Sequence, residues 1–350
     1  MDTKILLPTS ESELTAFYEL GIEIRNRHAY HDPTWNDDHG LDQLLHDETV
    51  ELKLIIVRKD ASCGRLAWMK YEGQTQGIIG WYECDQDEAV SDELLTTATE
   101  DLKKNGCTSV IGPLNGSTWN SYRFNTTSEK PLMLGEPYQP LYYVEFWKRF
   151  GFLETATYES TIAPKNMFEP MTMAEGQELA NQYHLKVTNY PTEPSQEFKE
   201  KMYHFYLTCF KSNPLFKPIE LTSYLKLFEK FNLILNAKHS LLVTDYEDNP
   251  IAVTLSYNDI YHELYKQGKT KDITHAFPRL FIKTIATHPL YQGKQIGTLM
   301  INLIHNLANE TGYNEIYHLL MYRSNLSAVK GKEKFVTKAV REYGLFTLEL

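Results

Sequence analysis

Two hydrophobic periods alternate along this chain, and together they predict its elements. Apolar positions at helical spacing mark Ser12–Arg27. A polar stretch rich in Asp, Asn and His follows at His31–Gly40. Short apolar runs bounded by turn residues then predict strands at Leu52–Val57, Gly64–Tyr71 and Gly77–Cys84, the last two separated by Gly73–Gln76. Ser91–Asn105 predicts a helix, with Leu94, Leu95, Ala98 and Leu102 on one face, Ser91 as N-cap and Gly106 as the stop. A short strand at Thr108–Ile111 and a helix at Tyr142–Phe150, stopped by Gly151, close this half.

Periodicity fades over Ala163–Gly176, which holds Pro164 and Pro170 and reads as a boundary. Beyond it the order repeats. Leu185–Tyr190 predicts a strand, and Glu197–Phe210 and Leu221–Phe231 predict helices. Ser240–Tyr246 and Ile251–Tyr257 predict a hairpin turned at Glu247-Asp248-Asn249-Pro250. A strand at Arg279–Thr287, a helix at Gly297–Glu310 and a strand at Glu315–Tyr322 follow. Asn325–Lys334 predicts a short helix and Ala339–Leu350 a last strand. The chain is expected to be an α/β (α+β) pseudo-repeat with domains at 1–163 and 177–350.

One stretch carries chemistry. In Phe281–Thr311 a strand ends at His288-Pro289, because proline cannot continue a ladder. A turn holding Gly293 and Gly297 leads into a helix whose Ile296, Leu299, Met300, Leu303, Ile304, Leu307 and Ala308 share one face. Backbone N–H groups at such a helix start point outward and carry partial positive charge, which suits a pyrophosphate. Glycine there lets an anion approach the backbone without an intervening Cβ.

Ile285-Ala-Thr-His-Pro289 followed by Gln292-Gly-Lys-Gln-Ile-Gly297 resembles the acyl-CoA signature of the GNAT N-acetyltransferase superfamily, Gln or Arg, two residues, Gly, one residue, then Gly or Ala. Gln292 and Gly297 match its ends, and Gln295 stands where the family has its middle glycine. Asn325-Leu-Ser-Ala328 resembles the family's Asn-x-x-Ala start of the next helix, and Trp147-Lys-Arg-Phe-Gly151-Phe152 resembles its Tyr-Glu-Lys-x-Gly-Phe segment. The resemblance implies two tandem GNAT-like domains, each a mixed, mostly antiparallel sheet flanked by helices. It implies acetyl-CoA or another acyl-CoA as co-substrate, held by Ile285, Ala286, Thr287, Gln292, Gly293, Lys294, Gln295, Ile296, Gly297, Thr298 and Asn325. A backbone N–H of Thr284–Thr287 would face the thioester carbonyl. The family's acid, a Tyr seven residues after the Asn, is replaced here by Lys332, so Tyr322 at the end of the preceding strand is the substitute. In the N-terminal half the matching turn is Cys84-Asp-Gln-Asp-Glu-Ala-Val-Ser91, whose Asp85, Asp87 and Glu88 would repel a pyrophosphate; that half is expected to lack CoA binding.

The rest narrows the partners. Asp259 and Glu263 are either a cation-binding pair or a solvated loop, and His288 is read as a turn residue. Trp119, Asn120, Tyr122, Arg123 and Tyr138 lie in polar–aromatic loops that could serve an acceptor. A formal charge of −11 argues against a basic nucleic-acid face; it suits a cationic substrate such as an amine, but simple solubility is the favoured reading of it. Cys63, Cys84, Cys107 and Cys209 form no CxxC pair or zinc spacing, so neither metal nor disulfide is expected, and Cys209 has no histidine partner to activate it. No apolar run approaches ~20 residues, so no membrane partner is expected and a cytoplasmic place is the default. The predicted activity is acyl transfer to an amine of a small acceptor. The alternatives are a non-catalytic acyl-CoA sensor and a transferase using another thioester donor.

Overall fold

The computed structural model describes residues 2–6, 11–27, 39–127, 133, 135–137, 139–163, 168, 170–213, 215–259, 279–324 and 338–350. The expected Asn325 contact, the helix over 325–334, Lys332, Glu263 and Tyr138 lie outside the described residues, as do residues 31–38 of the polar stretch His31–Gly40.

The chain forms two units, each with its own core. The first comprises residues 1–130, 137–158 and 341–350. Its sheet begins with β1 (Asp2–Leu6), β2 (Val50–Lys59), β3 (Ser62–Tyr71) and β4 (Gln76–Cys84), paired antiparallel in that order. β5 (Ser109–Gly112) lies parallel to β4, and its other edge pairs antiparallel with the C-terminal strand, Phe346 opposite Gly112 and Glu349 opposite Ser109. A two-residue strand β6 (Phe124–Asn125) also joins the C-terminal strand. Helix α1 (Glu11–Arg27) packs on β3, α2 (His39–Leu44) follows it, and α3 (Glu88–Lys104) packs on β2 and β3. α4 (Tyr142–Phe150) ends at Gly151 (φ 116°), a left-handed stop. Trp68, Leu94, Leu102, Trp147, Phe152 and Phe346 fill the core between them. β7 (Leu153–Ala163) passes from this unit into the next between Tyr158 and Glu159.

The second unit comprises residues 131–136 and 159–340. It adds α5 (Met173–Asn181), β8 (Lys186–Asn189), α6 (Gln196–Phe210), α7 (Leu221–Asn232), β9 (Leu241–Thr244), β10 (Pro250–Asn258), β11 (Arg279–Thr287), α8 (Ile296–Glu310) and β12 (Glu315–Tyr322). The strands run in the order β12-β11-β10-β9-β8, and only β11–β12 among these pairs is parallel. Successive side chains of β11 take opposite faces. Leu280 and Ile282 join Leu299, Met300, Leu303 and Ile304 of α8 in one core. Phe281 joins Tyr257, Tyr317, Leu319 and Met133 in a cluster on the other face, flanked by Phe231 of α7.

The last strand, β13 (Lys338–Glu349), differs from expectation. From Arg341 on it belongs to the first unit rather than to a 177–350 domain, because β5 offers the edge it pairs with. The helix expected from Ser91 starts at Glu88, where the Asp87 carboxylate accepts from the N–H groups of Ala89 and Val90. Ser91 is buried instead, its hydroxyl 2.7 Å from Tyr82 Oη. Helix α5 begins within the expected boundary and runs past it to Asn181, opened by a capping box between Thr172 and Glu175.

Candidate active site

The site is built where β11 and β12 part. Their parallel ladder runs from Arg279 opposite Glu315 to Ile282 opposite His318. Both strands continue past it, to Thr287 and Tyr322. At the same level β11 bulges: Leu255 of β10 pairs with Thr284, but the next residue, Ser256, pairs with Ile282. Lys283 is therefore an extra residue, and such a bulge takes local backbone groups out of the ladder and re-aims the strand. β12 kinks beside it, with Leu320 at φ 59°. Two strands that diverge at a bulge leave backbone donors facing an opening instead of a neighbour.

β11 then delivers the chain to α8. Its last residues, Ile285, Ala286 and Thr287, alternate between exposed, buried and half-buried. His288 caps a single 3-10 turn (Pro289–Tyr291): its Nδ1 accepts from Leu290 N–H at 3.3 Å, and its own N–H donates to the Ile251 carbonyl. This is a turn residue's work, as expected. Gln292 Nε2 reaches back to the Thr287 carbonyl at 3.3 Å and ties the turn to the strand end. Gly293 lies at φ 80° with open space around the position of a Cβ. The Lys294 ammonium sits 4.5 Å from the Tyr291 ring centroid and 5.5 Å from that of Tyr183, a cation–π seat that fixes its stem.

Gln295 has φ 60° and ψ 12°, left-handed backbone. The conformation that glycine would supply is thus kept without glycine, and the exposed Gln295 side chain is turned to solvent. Gln295 gives α8 no side-chain cap. The first N–H groups of a helix have no intrahelical partner, so those of Ile296, Gly297 and Thr298 form an anion-receptive end. A Cβ on Gly297 would touch only Thr287 Oγ1, at 3.9 Å, so alanine would fit there too. The sequence-predicted Ile285–Thr287 and Gln292–Thr298 thus lie on a strand end, a turn and a helix start that follow one another, with Ala286 and Ile296 buried and the others exposed or half-buried, and Tyr322 stands half-buried at the end of β12.

Below the opening, α8 is bolted to β12. His305 Nε2 and His318 Nε2 are 2.9 Å apart, and Phe168 stacks on His305 with ring centroids 3.8 Å apart. One ring donates and the other accepts. Burial pushes both histidines well down from their ordinary range.

The remaining candidates serve structure. Asp259 accepts from Arg279 Nε at 2.6 Å with both side chains buried, so it is neither a solvated loop residue nor a receiver of cationic substrate. Burial pushes the Cys209 thiol up to about 12, which removes it as a nucleophile. In the first unit Arg123 is buried between the rings of Tyr122 (3.7 Å) and Tyr158 (4.3 Å), and Asn120 donates to the Asn115 carbonyl.

The first unit repeats the motif of strand, turn, helix and parallel strand in β4, α3 and β5, but its turn is closed. Three residues, Asp85, Gln86 and Asp87, link β4 to α3, where eight, His288 to Gln295, link β11 to α8. Asp87 occupies the helix end with its own carboxylate, and Lys59 pairs with it at 3.2 Å. Burial works against its ionisation, yet hydrogen bonds from Lys59 and from Val90 and Ala89 N–H outweigh this and hold the carboxyl below its usual range. Asp85 turns inward, accepting from Cys63 N–H at 2.8 Å and pairing with Arg27. An external anion would meet an anion already in place.

Among the described residues no group of three or more His, Cys, Asp or Glu could hold a metal, and no helix is long and apolar enough to cross a membrane.

Comparison with known proteins follows the same lines. Residues 199–331 match the model of the Acetyltransferase (GNAT) family. A comparison with curated proteins finds no match by sequence. Among solved structures, a tandem GNAT protein from the clavulanic acid biosynthesis pathway, without AcCoA, aligns over 99% of this chain and 98% of its own at 10% identity and TM-score 0.52. A GCN5-related glucosamine N-acetyltransferase region of a fungal multi-domain GH3 β-N-acetylglucosaminidase aligns over 99% of this chain and 38% of its own at 12% identity and TM-score 0.53. At such identities the likeness is one of fold: two GNAT-like domains in tandem.

Proposed function

We propose, on the match of residues 199–331 to the model of the acetyltransferase (GNAT) family, that the protein is an acyl-CoA-dependent N-acyltransferase, with acetyl-CoA as donor and the amine of a small molecule as acceptor. The observation that carries this is the coincidence of three features. The β11–β12 ladder ends, β11 bulges at Lys283, and the strand beyond the bulge runs to an uncapped helix start. A long anionic ligand with a reactive far end fits that arrangement. Its pyrophosphate would meet the N–H groups of the Gly293–Thr298 turn, with Gly293 and Gly297 leaving the backbone open. Its reactive end would meet backbone donors of Thr284–Thr287.

Acyl-CoA supplies an activated thioester. The chain's part is to orient it and to stabilise the charge that develops on the carbonyl oxygen. A preorganised backbone N–H in that role is worth about 3–4 kcal/mol. Tyr322, on the strand across the opening, is the proposed acid toward the departing thiolate. The first unit has its corresponding helix end filled by Asp87, so one acyl-CoA per chain is expected.

Calorimetric titration with acetyl-CoA tests the site. We expect one binding event per chain and a roughly tenfold or greater weakening in Gly293→Asp, where a carboxylate would stand beside the pyrophosphate. Gly293 is exposed with nothing near its Cβ position, so the variant is expected to fold despite a penalty of about 1–2 kcal/mol for an L-residue at φ 80°, and Gly293→Asn, which carries the same strain without the charge, is expected to bind more tightly than Gly293→Asp. Undiminished affinity in Gly293→Asp, or two equal sites, would overturn the assignment.

A further inference from the structure

Lys294 stands in the turn just before α8, and its ammonium rests on aromatic faces, 4.5 Å from the Tyr291 ring centroid and 5.5 Å from that of Tyr183. Both rings are anchored. Tyr291, in the 3-10 turn, packs against the core that α8 shares with β11. Tyr183 follows α5, and its N–H donates to the Ala180 carbonyl. The lysine side chain is half-buried in this seat. Among the described residues no carboxylate pairs with its ammonium and no carbonyl accepts from it. Ring faces attract a cation through their quadrupole but bring no net charge to neutralise it. An ammonium has three N–H donors, and a seat on ring faces leaves them available to an anion.

The position makes the missing counter-charge more telling. A cation beside a helix N-terminus is disfavoured by the helix dipole, yet here it is fixed one residue before the uncapped start of α8. The seat also holds this charge apart from the helix end, because its rings come from the 3-10 turn and from the end of α5. Two anion-receptive groups thus stand side by side, one of backbone N–H dipoles and one a full charge. A diphosphate suits the first. The second calls for another anionic group on the same ligand.

We propose, on the reading given above, that Lys294 receives a phosphomonoester of the donor, so that the site selects nucleotide thioesters carrying a phosphate besides their diphosphate. CoA thioesters bear one on the ribose 3′ oxygen, with a charge of about −1.5 to −2 at neutral pH. A thioester carried on a protein through 4′-phosphopantetheine offers one phosphodiester and no such group. Lys294 therefore favours freely diffusing CoA thioesters over carrier-bound ones.

Calorimetric titration with acetyl-CoA and with 3′-dephospho-acetyl-CoA, which keeps the diphosphate and the thioester, tests this. At low ionic strength the wild-type chain is expected to bind acetyl-CoA on the order of tenfold more tightly, the value of one charge-assisted hydrogen bond. Added salt is expected to shrink that ratio, since a partly exposed charge is screened. Lys294→Met keeps a flexible, unbranched side chain against the rings but removes the charge. It is expected to bring the ratio close to one, chiefly by weakening acetyl-CoA. Lys294→Arg, which keeps the charge, is expected to retain most of the preference. If neither ligand binds the wild type, the acyl-CoA reading itself is refuted. If both bind and the wild type shows no preference, or the preference survives in Lys294→Met, the acyl-CoA site stands and the role of Lys294 is overturned.

Discussion

Gln295 offers a quantitative test of how the turn before α8 is built. An L-residue in left-handed backbone carries a penalty of about 1–2 kcal/mol that glycine escapes. Gln295 is in that conformation at φ 60°, is exposed, and makes no side-chain cap to the helix. Gln295→Gly therefore removes the penalty and loses no cap. Against this, glycine frees the unfolded chain by about 0.4–1 kcal/mol. The balance is a net stabilisation of roughly 0.5–1 kcal/mol, or a rise of roughly 1–4 °C in the melting temperature of a unit of this size. Gln295→Ala keeps a Cβ, so it keeps the strain and is expected to gain nothing. Thermal melts of the three proteins at one pH and scan rate measure the effect. Because the Gln295 side chain points to solvent, CoA affinity is expected to stay level or rise modestly in Gln295→Gly. A glycine variant no more stable than the alanine one would refute the strain argument. A glycine variant that binds CoA less tightly would show that the glutamine side chain helps to hold the ligand.

Three further outcomes are expected. Tyr322→Phe should lower kcat by about 10²–10⁴ with CoA affinity unchanged if the phenol protonates the thiolate; full turnover in stopped-flow assays with a working acceptor would make it a packing residue. The His305–His318 pair is held neutral by burial, so stability should be complete above the ordinary histidine pKa of about 6.5 and should decline as pH falls below it, by roughly 1–3 kcal/mol at pH 5; urea titrations at pH 7.5 and 5 check this, and a His305→Gln, His318→Gln double variant should flatten the dependence. Asp87→Ala should destabilise the first unit by about 1–2 kcal/mol through loss of its helix cap, yet calorimetry should still count one CoA per chain, because the three-residue turn remains too short to wrap a pyrophosphate.

The elements around the site were legible because their signals are local. Arg279–Thr287 and Glu315–Tyr322 were bounded as found, since Pro289 and Gly312 punctuate them and the α8 face repeats without a break. What was not legible depends on partners. The bulge at Lys283 is fixed by register against β10, and Leu280, Phe281 and Ile282 are all apolar, so no alternation reveals a slip. Ser91 and Asp87 are both fair caps by residue type, and the geometry of β4 chose the earlier one. The signal for α5, Thr172-Met-Ala-Glu175 reading as a capping box once Met173 is counted inside the helix, was present but masked by the nearby prolines.

The C-terminal strand sets a timetable for biosynthesis. β5 (Ser109–Gly112) is translated more than two hundred residues before the edge that completes it, Arg341–Leu350. At about 5–20 residues per second, tens of seconds separate the two. Throughout that interval the nascent first unit carries an open strand edge, a template for unwanted pairing with other chains. Its sheet can close only after Arg341–Leu350 has been made, so truncation before Arg341 would damage the fold that is synthesised first.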